Sequence, residues 1–183
     1  MWDNTNKWIF LHPKKCAGSS IEIILRKHFV NTKEEPKGSQ HWNLDSIIPC
    51  LSNPLDNYFI FSVARNPWDR MVSMYYHSIK HSKYTNLFDQ YIKMRGLYFA
   101  EGQLPLKYHL DNSRVDFIIQ FQNLEEGVKH VMNKLNVYNY ELPHHNHDTD
   151  RPKKSYRDFY NEETKNYIAE KFAWDIEKFG YKF

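Results

Sequence analysis

Apolar positions in this chain fall into short runs whose spacing alternates between that of strands and that of helices. Lys7–His12 (KWIFLH) holds a continuous apolar stretch; a turn with Pro13 and Gly18 follows, and then Ile21, Ile24, Leu25, His28 and Phe29 recur at helical spacing. The pattern predicts strand, loop, helix. Residues 31–42 (NTKEEPKGSQHW) are polar and contain Pro36 and Gly38, which predicts a surface loop, with a short helix over Leu44–Leu51 behind it. A second strand is predicted over Asn57–Ala64 (NYFIFSVA), nearly continuous in apolar residues as for a parallel strand covered on both faces. Asn66 and Pro67 then suit the cap and first position of a helix whose face carries Trp68, Val72, Tyr75, Tyr76 and Ile79.

The second half repeats this alternation. A helix is predicted over residues 85–95, an irregular excursion over 96–114, a third strand over Val115–Gln120 and a helix over Leu124–Leu135. Glu141–Ser155 (ELPHHNHDTDRPKKS) has no apolar period, so it reads as a long exposed loop of the kind that often carries function. Ile168, Phe172, Ile176 and Phe179 line a closing helix, which Gly180 is placed to end. Strands alternating with helices give an α/β fold with a small parallel sheet flanked by helices.

Composition narrows the picture. With 183 residues, 41% hydrophobic and 16% aromatic, the chain can bury one sizeable core but hardly two, so residues 1–183 are read as a single domain. A net charge of +3 is too weak to argue for a nucleic-acid partner, and it suits a locally basic pocket for a small polyanion. The two cysteines, Cys16 and Cys50, are read as reduced. The first residues hold only a four-residue apolar run, too short for a signal segment or a membrane span. A cytoplasmic location is the expectation; a Golgi-lumenal catalytic domain without its anchor would show the same pattern.

Two segments carry candidate chemistry. His12–Ser20 reads HPKKCAGSS between a strand and a helix, where backbone N–H groups and the positive end of the helix dipole make an anion site. Gly18 permits close backbone approach, Ser19 and Ser20 add hydroxyl donors, and Lys14 adds a mobile full charge. No Gly opens this loop and no Gly-Lys-Ser/Thr closes it, so it departs from the Walker A pattern. Taken alone, the segment fits equally well a simple turn at Pro13 and Gly18 with Ser19 as a helix cap.

Val63–Tyr76 reads VARNPWDRMVSMYY at the carboxyl end of the next strand, where open α/β sheets bind ligands. Arg65 can fork onto a phosphate, and Arg70 and Ser73 lie about one helical turn apart. A lone arginine would more often be ion-paired, Arg70 for instance with Asp69 or Asp116. Two such segments together suit a nucleotide bearing two separated phosphate groups, whereas ATP or GTP needs only the first.

At these residues the chain resembles the PAPS-dependent sulfotransferases (PAPS is 3′-phosphoadenosine 5′-phosphosulfate), in particular their carbohydrate branch. IFLHPKKCAGSSIE is similar to that family's 5′-phosphosulfate loop. FSVARNPWDRMVSMYY is similar to its 3′-phosphate motif, with a Ser eight positions after the Arg. IIQFQNLEEGVKHVMNKL and the region from LPHHN to WDIEKFGYKF carry weaker likeness. The resemblance implies a P-loop-containing sulfotransferase-like fold and PAPS as co-substrate, without a metal. It assigns Lys14 to the leaving phosphate oxygen, Pro13, Lys15, Cys16, Ala17, Gly18, Ser19 and Ser20 to the 5′-phosphate loop, and Arg65 and Ser73 to the 3′-phosphate. Lys153, Lys154 and Ser155 match, loosely, a loop that closes over the nucleotide. Two departures stand out: Lys15-Cys16-Ala17-Gly18-Ser19-Ser20 replaces the family's Thr-Gly-Gly-Thr-Ser, and Gln122 stands where an acidic residue is usual. Cys16 in the loop raises the expectation of inhibition by thiol reagents.

Sulfuryl transfer asks for in-line attack and stabilisation of charge on the leaving oxygen, which Lys14 and the helix N-terminus would supply. The acceptor hydroxyl must also lose a proton. His41 is the candidate base, because QHWNLD resembles the region carrying that histidine in some glycosaminoglycan sulfotransferases; His12 is the second choice. His144, His145, His147 and Asp148 invite a metal reading, but a cluster on one loop without partner ligands is weak evidence. Trp68, Tyr75 and Tyr76 are expected to pack their helix against the sheet. The expected acceptor is a small molecule or oligosaccharide. A kinase-like phosphotransferase and a non-catalytic binder of anionic glycans are the rival readings; the first lacks the Gly-Lys-Ser/Thr closure and an evident acidic Mg²⁺ site.

Overall fold

The computed structural model describes residues 1–34, 43–82, 87–97, 105–110, 114–143 and 151–183. In chain order the elements are β1 (Trp2–Asp3), β2 (Trp8–Leu11), α1 (Gly18–His28), α2 (Leu44–Ile47), β3 (Phe59–Ala64), α3 (Pro67–Ser82), α4 (Phe88–Leu97), α5 (Lys107–Leu110), β4 (Phe117–Gln120), α6 (Leu124–Lys134), α7 (Glu162–Lys171) and α8 (Ala173–Phe179). The chain divides into two compact units, Met1–Ala64 with Tyr108–Asn146, and Arg65–Lys107 with His147–Phe183.

The first unit holds the sheet, ordered β1-β2-β3-β4. β2, β3 and β4 are parallel, with Leu11 opposite Ser62 and Ala64 opposite Gln120; β1 pairs antiparallel with β2. Ile60 to Ala64 are fully buried, which is why this strand reads as one apolar run. The polar exception, Ser62, donates its hydroxyl to the Leu11 carbonyl at 2.8 Å, so its burial leaves no donor unmade. Phe10 and Phe61 stack across the two strands at 4.9 Å between centroids. α1 turns Ile21, Ile24 and Leu25 into this core.

β1 was not anticipated. Asp3 creates it: the buried carboxylate accepts N–H bonds from Thr5 and Asn6, both at 2.8 Å, and one from the Asn6 side-chain amide at 3.0 Å. Lys7 leaves that turn in the left-handed region, φ 55°. Trp2 also exchanges two backbone bonds with Lys33, which ties the start of the predicted 31–42 loop to the sheet edge.

The second unit is helical. Asn66 starts α3 as its sequence predicts, its side-chain oxygen accepting from the Trp68 N–H at 3.1 Å, with Pro67 in the first position. Trp68 donates its indole N–H to the Lys165 carbonyl, and Tyr75 packs on Phe88 and Tyr91. Tyr76 meets Phe159 in the single-turn segment Tyr156–Phe159. Within this unit these aromatics pack α3 on α4, α7 and that turn. The predicted closing helix is two helices, broken at Phe172, and Gly180 ends the second with φ 66°. Asp175 at the start of α8 is buried and accepts the Leu106 and Lys107 N–H groups at 2.8 and 3.2 Å. Burial pushes its carboxyl above the ordinary aspartate value, against the pull of those two bonds and of the Arg70 charge.

Candidate functional site

The loop between β2 and α1 is built from alternating backbone conformations. Lys15 and Ala17 have φ of 63° and 62°, while Lys14, Cys16 and Gly18 stay at negative φ. Successive residues of opposite hand turn their N–H groups to one side, forming a concave nest that suits an anion. Both left-handed positions are occupied by residues with a Cβ, at a cost on the order of 1–2 kcal/mol each. The helix that follows has no side-chain cap at Ala17 and no acidic residue in its first turn, whereas α2, α3, α4, α6, α7 and α8 each carry one there. An N-terminus with neither cap nor carboxylate keeps its positive end available to an external anion.

Each residue of the loop has a distinct place. Lys14, Lys15, Ala17 and Ser19 are half-buried, and Pro13, Cys16, Gly18 and Ser20 are buried. Ser19 is no helix cap, since that position is Ala17; the Ser20 N–H returns to the Ala17 carbonyl at 3.2 Å. Gly18 is required for a reason the sequence did not show: a Cβ there would lie 1.7 Å from the His12 ring. Cys16 is fully buried with Sγ 3.7 Å from the Lys14 carbonyl, so the expected attack by thiol reagents at Cys16 is corrected; the exposed thiol is Cys50.

In the second unit Arg65 immediately follows β3, and only 8% of its surface is exposed. Its Nε donates to Asp69 Oδ2 at 2.8 Å, and the other oxygen of Asp69 accepts from Arg151 Nη2, also at 2.8 Å. One carboxylate thus holds two guanidinium groups, one from four residues before it and one from 82 residues after it. Burial alone would push the Asp69 carboxyl up; the charges and hydrogen bonds of Arg65 and Arg151 outweigh it and hold the carboxyl below its ordinary 3.8. The sequence reading named Asp69 only as a partner for Arg70, and it missed Arg151. Asp69 was findable from its i,i+4 spacing to Arg65, whereas Arg151 gave no local signal.

Asp69 is held by Arg65 and Arg151 and Asp116 by Arg114, and the charge of fully buried Arg70 acts on Asp175. Ser73 is buried on α3. Lys153, Lys154 and Ser155 are exposed; Lys154 Nζ lies 4.1 Å from the Phe159 ring centre, and Ser155 accepts the Arg157 N–H at 3.3 Å. His41, His144, His145 and His147 lie outside the described residues. Among the described residues no three metal-ligating side chains cluster, and no helix is long and apolar enough to cross a membrane.

Because Asp69 has a lowered carboxyl value, its contribution to stability is complete above the ordinary aspartate range and is lost as the pH falls through the lowered value. Asp69→Asn is expected to cost about 2 kcal/mol at neutral pH, since it leaves buried Arg65 short of its counter-charge. Urea unfolding from pH 7 to 2 should show the gap between wild type and variant closing below 3.8. A gap that stays constant to pH 2 contradicts the shared-carboxylate account.

Comparison with known proteins sets this geometry in context. No family model matches the chain. An uncharacterized protein of Archaeoglobus fulgidus is 35% identical over 85 residues, covering 45% of this chain and 71% of that protein, and the two belong to one family. Among solved structures, the sulfotransferase of Alicyclobacillus acidocaldarius superposes with a TM-score of 0.52 at 14% identity, over 97% of this chain and 94% of its own. Mouse sulfotransferase SULT7A1, in its complex with PAP (3′-phosphoadenosine 5′-phosphate), gives 0.58 at 11% identity over 96% and 86%. The fold is the sulfotransferase fold. In it, the loop that opens α1 follows β2, and Arg65 follows β3, the neighbouring parallel strand.

Proposed function

We propose that this chain is a PAPS-dependent sulfotransferase of the carbohydrate-directed kind, acting through residues 1–183 as one domain. The observation that carries the reading is the Lys14–Gly18 nest, which holds two residues with side chains in the left-handed region at the start of an uncapped helix. A local cost of that kind is retained where an anion repays it. The sulfotransferase fold and the PAP carried by the mouse protein support the choice of nucleotide.

In this reading Pro13 and Lys15–Ser20 surround the 5′-phosphosulfate, and Arg65 and Ser73 take the 3′-phosphate. Lys153, Lys154 and Ser155 belong to the segment that covers the nucleotide, and Arg151 of the same segment reaches Asp69. The acceptor oxygen attacks sulfur in line; the new O–S bond forms as the bond from sulfur to the phosphate oxygen breaks. Lys14 stabilises the charge arriving on that oxygen, PAP leaves, and His41 receives the acceptor's proton. No step calls for a metal.

The test is transfer of ³⁵S from labelled PAPS to a panel of oligosaccharides, glycolipids and small alcohols. Label is expected to pass to a saccharide hydroxyl. Phosphate transfer from labelled ATP with no sulfate transfer would replace this reading with the kinase-like one.

A further inference from the structure

His12 is the last residue before the nest and Gly18 the residue that closes it, and the His12 ring spans the two. A Cβ on Gly18 would lie 1.7 Å from both Cδ2 and Nε2 of that ring, so the imidazole rests directly on the Gly18 backbone. On its other side Nδ1 is 2.9 Å from Oε1 of Glu22. Glu22 stands four residues after Gly18 and therefore on the same face of α1. The plane of the ring is fixed as well, by stacking at 7° and 5.6 Å on Phe10 of β2. Glu22 is itself held from a second direction by Arg26, whose Nη2 lies 3.6 Å from Oε2. Burial raises the Glu22 carboxyl, but the hydrogen bond and charge of His12, with Arg26, outweigh it and keep the group ionised at neutral pH.

These contacts tie the end of β2 to the first two turns of α1 across five intervening residues, two of them in costly conformations. Such a loop keeps one shape only when its surroundings over-determine it. We infer that His12 and Glu22 form a clasp that preorganises the Lys14–Gly18 nest for its anion, His12 serving as a positioning residue rather than as the general base. The identity of that anion as the phosphosulfate end of PAPS rests on the function proposed above; the clasp itself does not. Nδ1 is engaged by Glu22, and the face of the ring lies against the Gly18 backbone.

The experiment uses the full chain as wild type, His12→Ala and Glu22→Gln, the second variant keeping the side-chain volume in case the first does not fold. Amide hydrogen exchange without nucleotide is expected to speed up about tenfold or more over residues 13–20 in both variants, with β3 as protected as in wild type. PAP titration should then show Kd raised about tenfold, with kcat at saturating PAPS within about threefold of wild type. Unchanged exchange over residues 13–20 in Glu22→Gln, with β3 intact, overturns the clasp. So does a large fall in kcat at unchanged PAP affinity in His12→Ala, which would make His12 the base. If wild type binds no PAP, the PAPS reading fails by itself and the exchange measurement still decides the clasp.

Discussion

Lys14→Ala is expected to lower sulfuryl-transfer turnover by about a thousandfold while weakening PAP affinity by no more than about tenfold. The asymmetry follows from where charge appears. In the proposed function the phosphosulfate is bound before reaction by a concave row of backbone N–H groups and by the helix N-terminus, none of which the substitution touches. As the bond to sulfur breaks, negative charge concentrates on a single leaving oxygen, and a mobile lysine charge beside it is worth far more there than in the ground state. Initial rates at saturating PAPS, set beside calorimetric PAP affinity, read the two effects separately. Equal loss in both would reduce Lys14 to a binding contact.

Gly18→Ala is expected to be nearly as damaging through a different route. The new methyl would occupy the position of the His12 ring, 1.7 Å away, so the ring must leave. Its departure gives up the Glu22 contact and the stacking on Phe10 together. Overpacking of this kind costs about 1–3 kcal/mol, or roughly 2–9 °C in melting temperature for a chain of this size. PAP affinity should fall by about tenfold or more, because the nest loses its support. Ala17→Gly is the matched control: at φ 62° glycine pays no Cβ penalty, so thermal stability should hold or rise. A Gly18→Ala protein that melts like wild type would show that the ring moves at no cost.

Legibility of the fold in the sequence tracked how local the determining contact was. Phe59–Ala64 announced a buried parallel strand because both of its faces are covered, leaving no polar alternation to blur the run. Asn66 and Pro67 marked the start of α3, and Gly180 the end of α8, because caps are set by neighbours a few residues away. β1 escaped because it is two residues long and owes its turn to the Asp3 carboxylate, which leaves no periodic trace. The break at Phe172 escaped because Ile168, Phe172, Ile176 and Phe179 keep helical spacing straight through it.

The site divided the same way. Loop, lysine and arginine were visible as residue types at strand ends. The alternating φ values at Lys15 and Ala17 were not, since neither residue type favours the left-handed region. Asp69 and Arg151 meet only because the chain folds back across 82 positions, and His12 reaches Gly18 only once α1 is packed on β2. Such contacts are set by tertiary structure, so a sequence read from neighbour to neighbour does not carry them.

In the proposed function one nucleotide engages the Lys14 nest with its 5′ end and Arg65 with its 3′-phosphate. Thermal unfolding at matched concentrations of PAP, ADP and AMP tests this most directly, because a ligand raises stability by RT ln(1 + [L]/Kd). PAP is predicted to raise the melting temperature well above either nucleotide that lacks a 3′-phosphate. Equal shifts for all three would contradict it.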